Sequence, residues 1–240
     1  MPSRAIEPQQ SAAAITRLAA LSPLDPEASA ALSSALQRPR TFRARRELIS
    51  EGQEITETLL ILSGWAARIR LLEDGRRQIH NFLLPGDLVS YRDLERPVAS
   101  STVIAITEVV VCAAPDPSVS PALGRAYAQS RALEEAHLLA QITRLGRLNA
   151  HERIADLLLE LFERLKLGGL ASDGRYLLPI TQEVIADALG LTSVHVNRTL
   201  QTLRREGALD WKGREVVLSN PSALRRTIGR LPTRVTAIQY

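Results

Sequence analysis

The 240-residue chain is poor in the residue types that build redox, metal and catalytic sites. It has one cysteine, four histidines, and only 4% Phe, Trp and Tyr together. A lone cysteine excludes an internal disulfide and any multi-cysteine metal or iron–sulfur centre within one chain. Cys112 follows Val109, Val110 and Val111, where a small buried hydrophobe is expected rather than a redox sensor. The histidines His80, His137, His151 and His195 fall in different predicted elements, and no His-x-His pair occurs, so a metal-activated barrel enzyme is not expected. Neither GxGxxG nor GxxxxGK[ST] is present, which removes the common phosphate loops. No apolar run reaches the ~18 residues needed to cross a bilayer, and the N-terminus lacks the apolar core of a secretion signal. These absences lead us to expect a cytoplasmic binding protein with no metal, no cofactor and no enzymatic activity.

What is present is an ordinary soluble composition, 45% hydrophobic and 23% charged, with length for one large domain or two modest ones. The net charge of +4 is compatible with a polyanionic partner. After a lead with little periodicity, helical spacing begins at Ile15 and continues through Leu18 and Leu21, then from Pro26 to Leu36. From Thr41 to Ala114 the texture becomes short β runs: Phe42, Glu47–Ile49, Thr58–Leu62, Ala66–Leu72, Gln78–Leu84 and Ser101–Ala113. Turn signals separate them at Gly52, Gly64, Gly75 and Pro85-Gly86-Asp87. Frequent short strands with regular turns predict an antiparallel sandwich or barrel.

A helix-compatible stretch follows from Pro121 to Leu148, with Ala128, Ala132, Ala136, Leu139, Ile142 and Leu145 at steps of three or four. That seam fits two parallel helices, or one helix packed on its own β-layer. Another amphipathic helix starts at His151, carrying Ile154, Leu157, Leu158, Leu161, Phe162 and Leu165, and stops at Gly168-Gly169.

The stretch TQEVIADALGLTSVHVNRTLQTLRREGAL, from Thr181 to Leu209, reads as two short helices around Gly190. Thr192 is placed to cap the second through its hydroxyl. At roughly 100° per residue, Val196, Leu200 and Leu203 share the inner side. Val194, Arg198, Gln201 and Arg205 point outward, flanked by Ser193, His195 and Asn197. Such an outward face suits the DNA major groove, where Arg pairs with guanine and Asn or Gln with adenine. The two helices alone fit an ordinary helical hairpin equally well. The β runs 208–211 and 215–218 around Gly213 add a hairpin, with Lys212 and Arg214 at its tip, and turn the unit into a winged helix whose tip faces phosphate.

This arrangement, LG-x-T-S-x-x-x-x-R-x-L-x-x-L-x-x-x-G-x-L, resembles the DNA-binding unit of the Crp/Fnr transcription regulators, and the glycine offsets of the β region resemble that family's sensor domain. The resemblance implies an α+β chain: a flexible lead over 1–14, an antiparallel, jelly-roll-like β-roll sensor with N-terminal helices over 15–118, a dimerisation helix and hinge over 119–149, and a winged helix-turn-helix domain over 150–240. It further implies a homodimer on double-stranded DNA bearing an inverted repeat, with RNA polymerase as a further partner if the protein activates. Thr181, Gln182, Thr192 and Ser193 would hold the DNA backbone; Ser193, Val194, Asn197 and Arg198 would face bases.

The chain departs from the cyclic-nucleotide-binding members. Ser90-Tyr91 stand in the Gly-Glu place, and Ala99-Ser100-Ser101-Thr102 where those members carry a phosphate-binding arginine. Losing that cation removes a charge-assisted bond of about 1.5–3 kcal/mol, so classical cyclic AMP binding is not expected. An unidentified small-molecule effector would meet Ser90, Tyr91, Arg92, Arg96, Ser100 and Ser101. The alternative is a ligand- or protein-binding β-roll whose winged helix contacts a protein partner.

Overall fold

The computed structural model describes residues 8–92 and 94–236. In chain order it contains α1 (Pro8–Leu21), α2 (Pro26–Ala35), β1 (Arg40–Phe42), β2 (Glu47–Ile49), β3 (Leu59–Ser63), β4 (Ala66–Leu71), β5 (Arg77–Leu83), β6 (Leu88–Val89), β7 (Thr102–Ala105) and β8 (Val109–Ala113). There follow a 3-10 turn (Pro117–Val119), α3 (Pro121–Arg147), α4 (Ala150–Leu167), β9 (Ala171–Ser172), β10 (Arg175–Leu177), α5 (Gln182–Leu189), α6 (Ser193–Arg205), β11 (Leu209–Lys212), β12 (Glu215–Leu218) and α7 (Pro221–Thr227).

The first eight strands form two antiparallel sheets, ordered β1-β8-β3-β6 and β2-β7-β4-β5. Side chains alternate faces along a strand, and here both faces are buried. In β3, Leu59 and Ile61 point between the sheets while Leu60 and Leu62 point out against α1 and α3; in β8, Val109 and Val111 point in, and Val110 and Cys112 out. On the other sheet, Ala67, Ile69, Ile79 and Phe82 pack against α4 and the C-terminal helices. The roll is therefore a middle layer with helices on both sides. Gly64 is required by contact as well as by its φ of 83°, because a Cβ there would lie 2.0 Å from the Glu108 carbonyl oxygen.

Four sequence expectations change. Helix α1 starts at Pro8 rather than Ile15, with Ala13 and Ala14 buried, so residues 8–14 are not part of a flexible lead; residues 1–7 lie outside the described residues. The run Ser101–Ala113 divides into β7 and β8 in different sheets, because Ile106 and Thr107 donate their N–H groups to the Trp65 carbonyl and turn the chain. The short β6 was not expected. The tail from Pro221 reads in the sequence as a small helix with a basic face formed by Arg225, Arg226, Arg230 and Arg234, or as a solvated tail; in the fold Arg226 and Arg234 are exposed, whereas Arg230 turns inward to pair with Asp156 at 2.6 Å, its side chain 5% exposed.

Cys112 is fully buried, and burial pushes its thiol up to about 11. Only the thiolate is nucleophilic, so the native protein should not react with a thiol-specific alkylating agent at pH 8, whereas the urea-unfolded chain should react stoichiometrically. Mass spectrometry after quenching reads both; comparable labelling of the native protein would show that the thiol is exposed.

Helix α3 presents two different faces. Inward lie Ala122, Leu123, Ala126, Tyr127, Ser130, Leu133, His137, Gln141 and Arg144. The opposite face carries the expected seam: Leu139 and Ile142 are 58% and 68% exposed, Ala128 is exposed, and Ala132, Ala136 and Leu145 are half-buried.

Beneath α3 runs a buried ionic core. Arg144 reaches Asp156 at 2.7 Å and Glu160 at 2.5 Å; Arg164 pairs with Glu160 at 3.2 Å and Asp87 at 2.8 Å; Arg17 from α1 closes on Asp87 at 2.6 Å. The core joins α1, the roll, α3 and α4. Burial alone would raise the Glu160 carboxyl, but the charges of Arg144, His137 and Arg164 outweigh it and hold it at about 2.

Candidate nucleic-acid interface

The C-terminal half builds one protruding surface. Thr181 caps α5 by accepting from the Val184 N–H at 3.3 Å, and Thr192 caps α6 by accepting from the His195 N–H at 3.2 Å. Between the helices Gly190 adopts a left-handed conformation, φ 62° and ψ 37°, which glycine takes without a Cβ penalty. On α6, Val196, Leu200 and Leu203 are buried against α4 and α5, as the spacing required.

The opposite side of α6 is open. Val194 is 61% exposed, and His195, Arg198, Gln201 and Arg205 are exposed, with Ser193 and Asn197 half-buried beside them. The Arg198 guanidinium has no hydrogen bond or ion pair among the described residues. Thr181 and Thr192 are exposed and Gln182 half-buried at the same edge. Asn197 is less free than its position suggests: it donates to Gln182 at 3.1 Å and accepts from Gln201 at 2.9 Å. These three amides form one chain across the reading face, so Asn197 positions Gln182 and Gln201.

The wing is a hairpin of β11 and β12 with Lys212 opposite Glu215, extended by β10 and β9 into a four-stranded sheet. Lys212 and Arg214 are exposed at its tip, Lys212 paired with Asp210 at 2.8 Å. Trp211 donates its indole N–H to the Gly213 carbonyl at 3.0 Å and braces the turn.

Sequence reading missed the residues that fix this surface to the rest of the molecule. Arg153 donates to the carbonyls of Leu148 at 2.8 Å, Leu145 at 2.9 Å and Leu189 at 3.1 Å, tying the ends of α3 and α5 together across the hinge. Arg77 of β5 pairs with Asp187 of α5 at 2.5 Å, while Gln78 and Gln141 both donate to the Ala188 carbonyl. No periodic signal marks these, because Asp187, Ala188 and Leu189 lie 36 to 110 residues from the side chains that reach them, and Arg153 reaches Leu145 and Leu148 only through their backbone carbonyls. His151 of α4 also reaches this side, paired with Glu206 at 2.8 Å.

The expected effector residues are not gathered in one place. Ser90 is buried at the roll's mouth; Ser101 is buried and accepts from Arg68 at 3.2 Å. Arg96 is exposed and bound to Glu54, and Ser100 is exposed. Tyr91 and Arg92 line a different cavity, against α3.

Comparison with known proteins agrees with this geometry. Residues 152–227 match the Crp-like helix-turn-helix domain and residues 39–126 the cyclic nucleotide-binding domain. The chain is 32% identical to the nitrogen fixation regulation protein FixK of Azorhizobium caulinodans over 80% of each chain, and 30% identical to the transcriptional activator FnrL of Cereibacter sphaeroides over 75% of each. Among solved structures, FixK2 from Bradyrhizobium japonicum superposes with a TM-score of 0.68 at 31% identity, covering 79% of this chain and 96% of that one. A β-roll, a long helix and a capped helix-turn-helix with an open polar face, together with these likenesses, place the chain in the Crp/Fnr family of DNA-binding transcription regulators.

Proposed function

We propose that the protein works in the cytoplasm as a homodimer that binds an inverted-repeat DNA site. The observation that carries this is the division of two helices into buried and open faces. Helix α6 leaves Arg198 and Val194 outward, and α3 leaves Leu139 and Ile142 outward along the Ala128–Leu145 seam. Two copies joined on that seam would set two α6 helices in successive major grooves, about 34 Å apart. Thr181, Gln182, Thr192 and Ser193 would hold phosphates, with Lys212 and Arg214 at the wing doing the same. Arg198 would pair with guanine, and Val194 would meet a thymine methyl. If it activates transcription, the bound dimer would contact RNA polymerase.

Selection from random duplex DNA with the purified protein tests this. An enriched inverted repeat with half-sites one helical turn apart is the expected outcome, and its affinity should fall steeply with salt as phosphate contacts release counterions. A single unrepeated site, or binding indifferent to salt, would overturn the dimeric major-groove reading.

A further inference from the structure

Outside the recognition surface, a cavity of about 650 Å³ opens between the roll and the first turns of α3. Its size is that of a small-molecule site, ~300–1,000 Å³. Tyr91 and Arg92, from the loop after β6, form one wall; Tyr127 and Arg131 of α3 form another; Pro115 and Pro117 close a third. It lies on the helix-covered side of the β1-β8-β3-β6 sheet, outside the roll's interior. The interior is filled by the protein itself: the mouth behind Ser90 encloses about 110 Å³. Farther in, Arg68 spans from Ser101 to Glu134, which it meets at 2.7 Å.

The outer cavity offers flat apolar surface and positive charge together. The Arg131 guanidinium lies 5.1 Å from the centre of the Tyr91 ring, a cation–π contact. Arg92 has no hydrogen bond or ion pair among the described residues. Of the carboxylates on the rim, Glu57 pairs with Arg40 at 2.6 Å, and Asp116 accepts from the Ser118 N–H at 2.8 Å and lies in the field of Arg92. Tyr127 is 7% exposed, and its buried hydroxyl has no partner among the described residues, an omission native folds seldom leave. We propose that this cavity is a binding site for a small organic anion with a flat ring, its carboxylate or phosphate held by Arg92 and Arg131 and its ring laid against Tyr91 and the proline wall. Because Ala128 belongs both to this wall and to the exposed seam of α3, an occupant touches the proposed dimer helix directly.

Calorimetric titration of the full chain without DNA provides the test, and its outcome does not depend on whether the protein reads an inverted repeat. The probes are 1-naphthyl phosphate, 1-naphthoate and the uncharged 1-naphthalenemethanol. One anion should bind per chain, about tenfold or more tighter than the alcohol, as one charge-assisted bond implies; whichever anion binds better identifies the acid group. The Arg92→Ala/Arg131→Ala variant, altered only at exposed side chains, should lose that preference while keeping its far-UV circular dichroism. Arg198→Ala, on the distant DNA face, should bind as the parent does. No saturable binding of either anion, or equal binding by the double variant, overturns the site.

Discussion

Replacing Arg144 by alanine is expected to lower the unfolding free energy by about 3–5 kcal/mol at neutral pH, the cost of stranding buried charges. Arg144 is 2% exposed, Asp156 6% and Glu160 3%, so water cannot take over the guanidinium's role. Arg164 and Arg230 keep one contact each to Glu160 and Asp156, which spares the acids from complete isolation but leaves the centre of the cluster empty. The pH dependence separates charge loss from cavity formation. Glu160 is held at about 2 when folded against an ordinary 4.5. Its contribution is therefore complete above pH 4.5 and is lost as pH falls towards 2. Without Arg144 the folded carboxyl titrates higher, so the variant's deficit should shrink as the solution is acidified below pH 5. His137 acts in the same direction in the parent protein: burial, with Arg164 nearby, pushes it down to about 4 from 6.5. The unfolded chain then binds the extra proton, and stability falls between pH 6.5 and 4. Urea denaturation at several pH values and fixed protein concentration reads both effects. A deficit independent of pH would mean that Arg144 matters through packing alone.

Arg198→Ala should weaken binding to the selected site by about 1–3 kcal/mol and relax preference at one base pair, while changing stability little. The side chain is exposed and makes no hydrogen bond or ion pair among the described residues, so its removal costs the folded protein nothing comparable to Arg144. Fluorescence anisotropy on the selected duplex and on point variants of it would show the loss concentrated at one position. An equal loss on random DNA would identify Arg198 as a phosphate contact instead. Asn197→Ala should have a broader effect than loss of one base contact, because Asn197 holds both Gln182 and Gln201.

The two Arg predictions concern residues of the same type with opposite legibility. Arg198 was readable because its role is local: the offsets of Val196, Leu200 and Leu203 orient α6, and whatever lies opposite them must face out. The strands and turns of the roll were readable for the same reason, through alternation and glycine spacing, although one long run concealed the corner between β7 and β8. Helix α4 shows the limit. Its apolar positions from Ile154 to Leu165 mark one inner face, whereas Asp156, Glu160 and Arg164, four residues apart, are charged types that seldom lie buried without partners. In the fold all three are buried, because Arg144 of α3, Asp87 of the turn after β5 and Arg230 after α7 bring compensating charges from separate parts of the sequence. The same holds for the effector residues, neighbours in the chain that the roll sends to different places.

By itself the sequence determined the succession of elements, the helix-turn-helix with its outward Arg198, the wing, and the kinship of the chain, since periodicity, capping and turn chemistry act over a few residues. Only the tertiary structure decided which charges are buried, how Arg77, Gln78, Gln141 and Arg153 lock the reading unit to the roll, and that open space lies beside α3 rather than inside the barrel. Those outcomes depend on which distant side chains share a dielectric and a volume, and no local pattern encodes that.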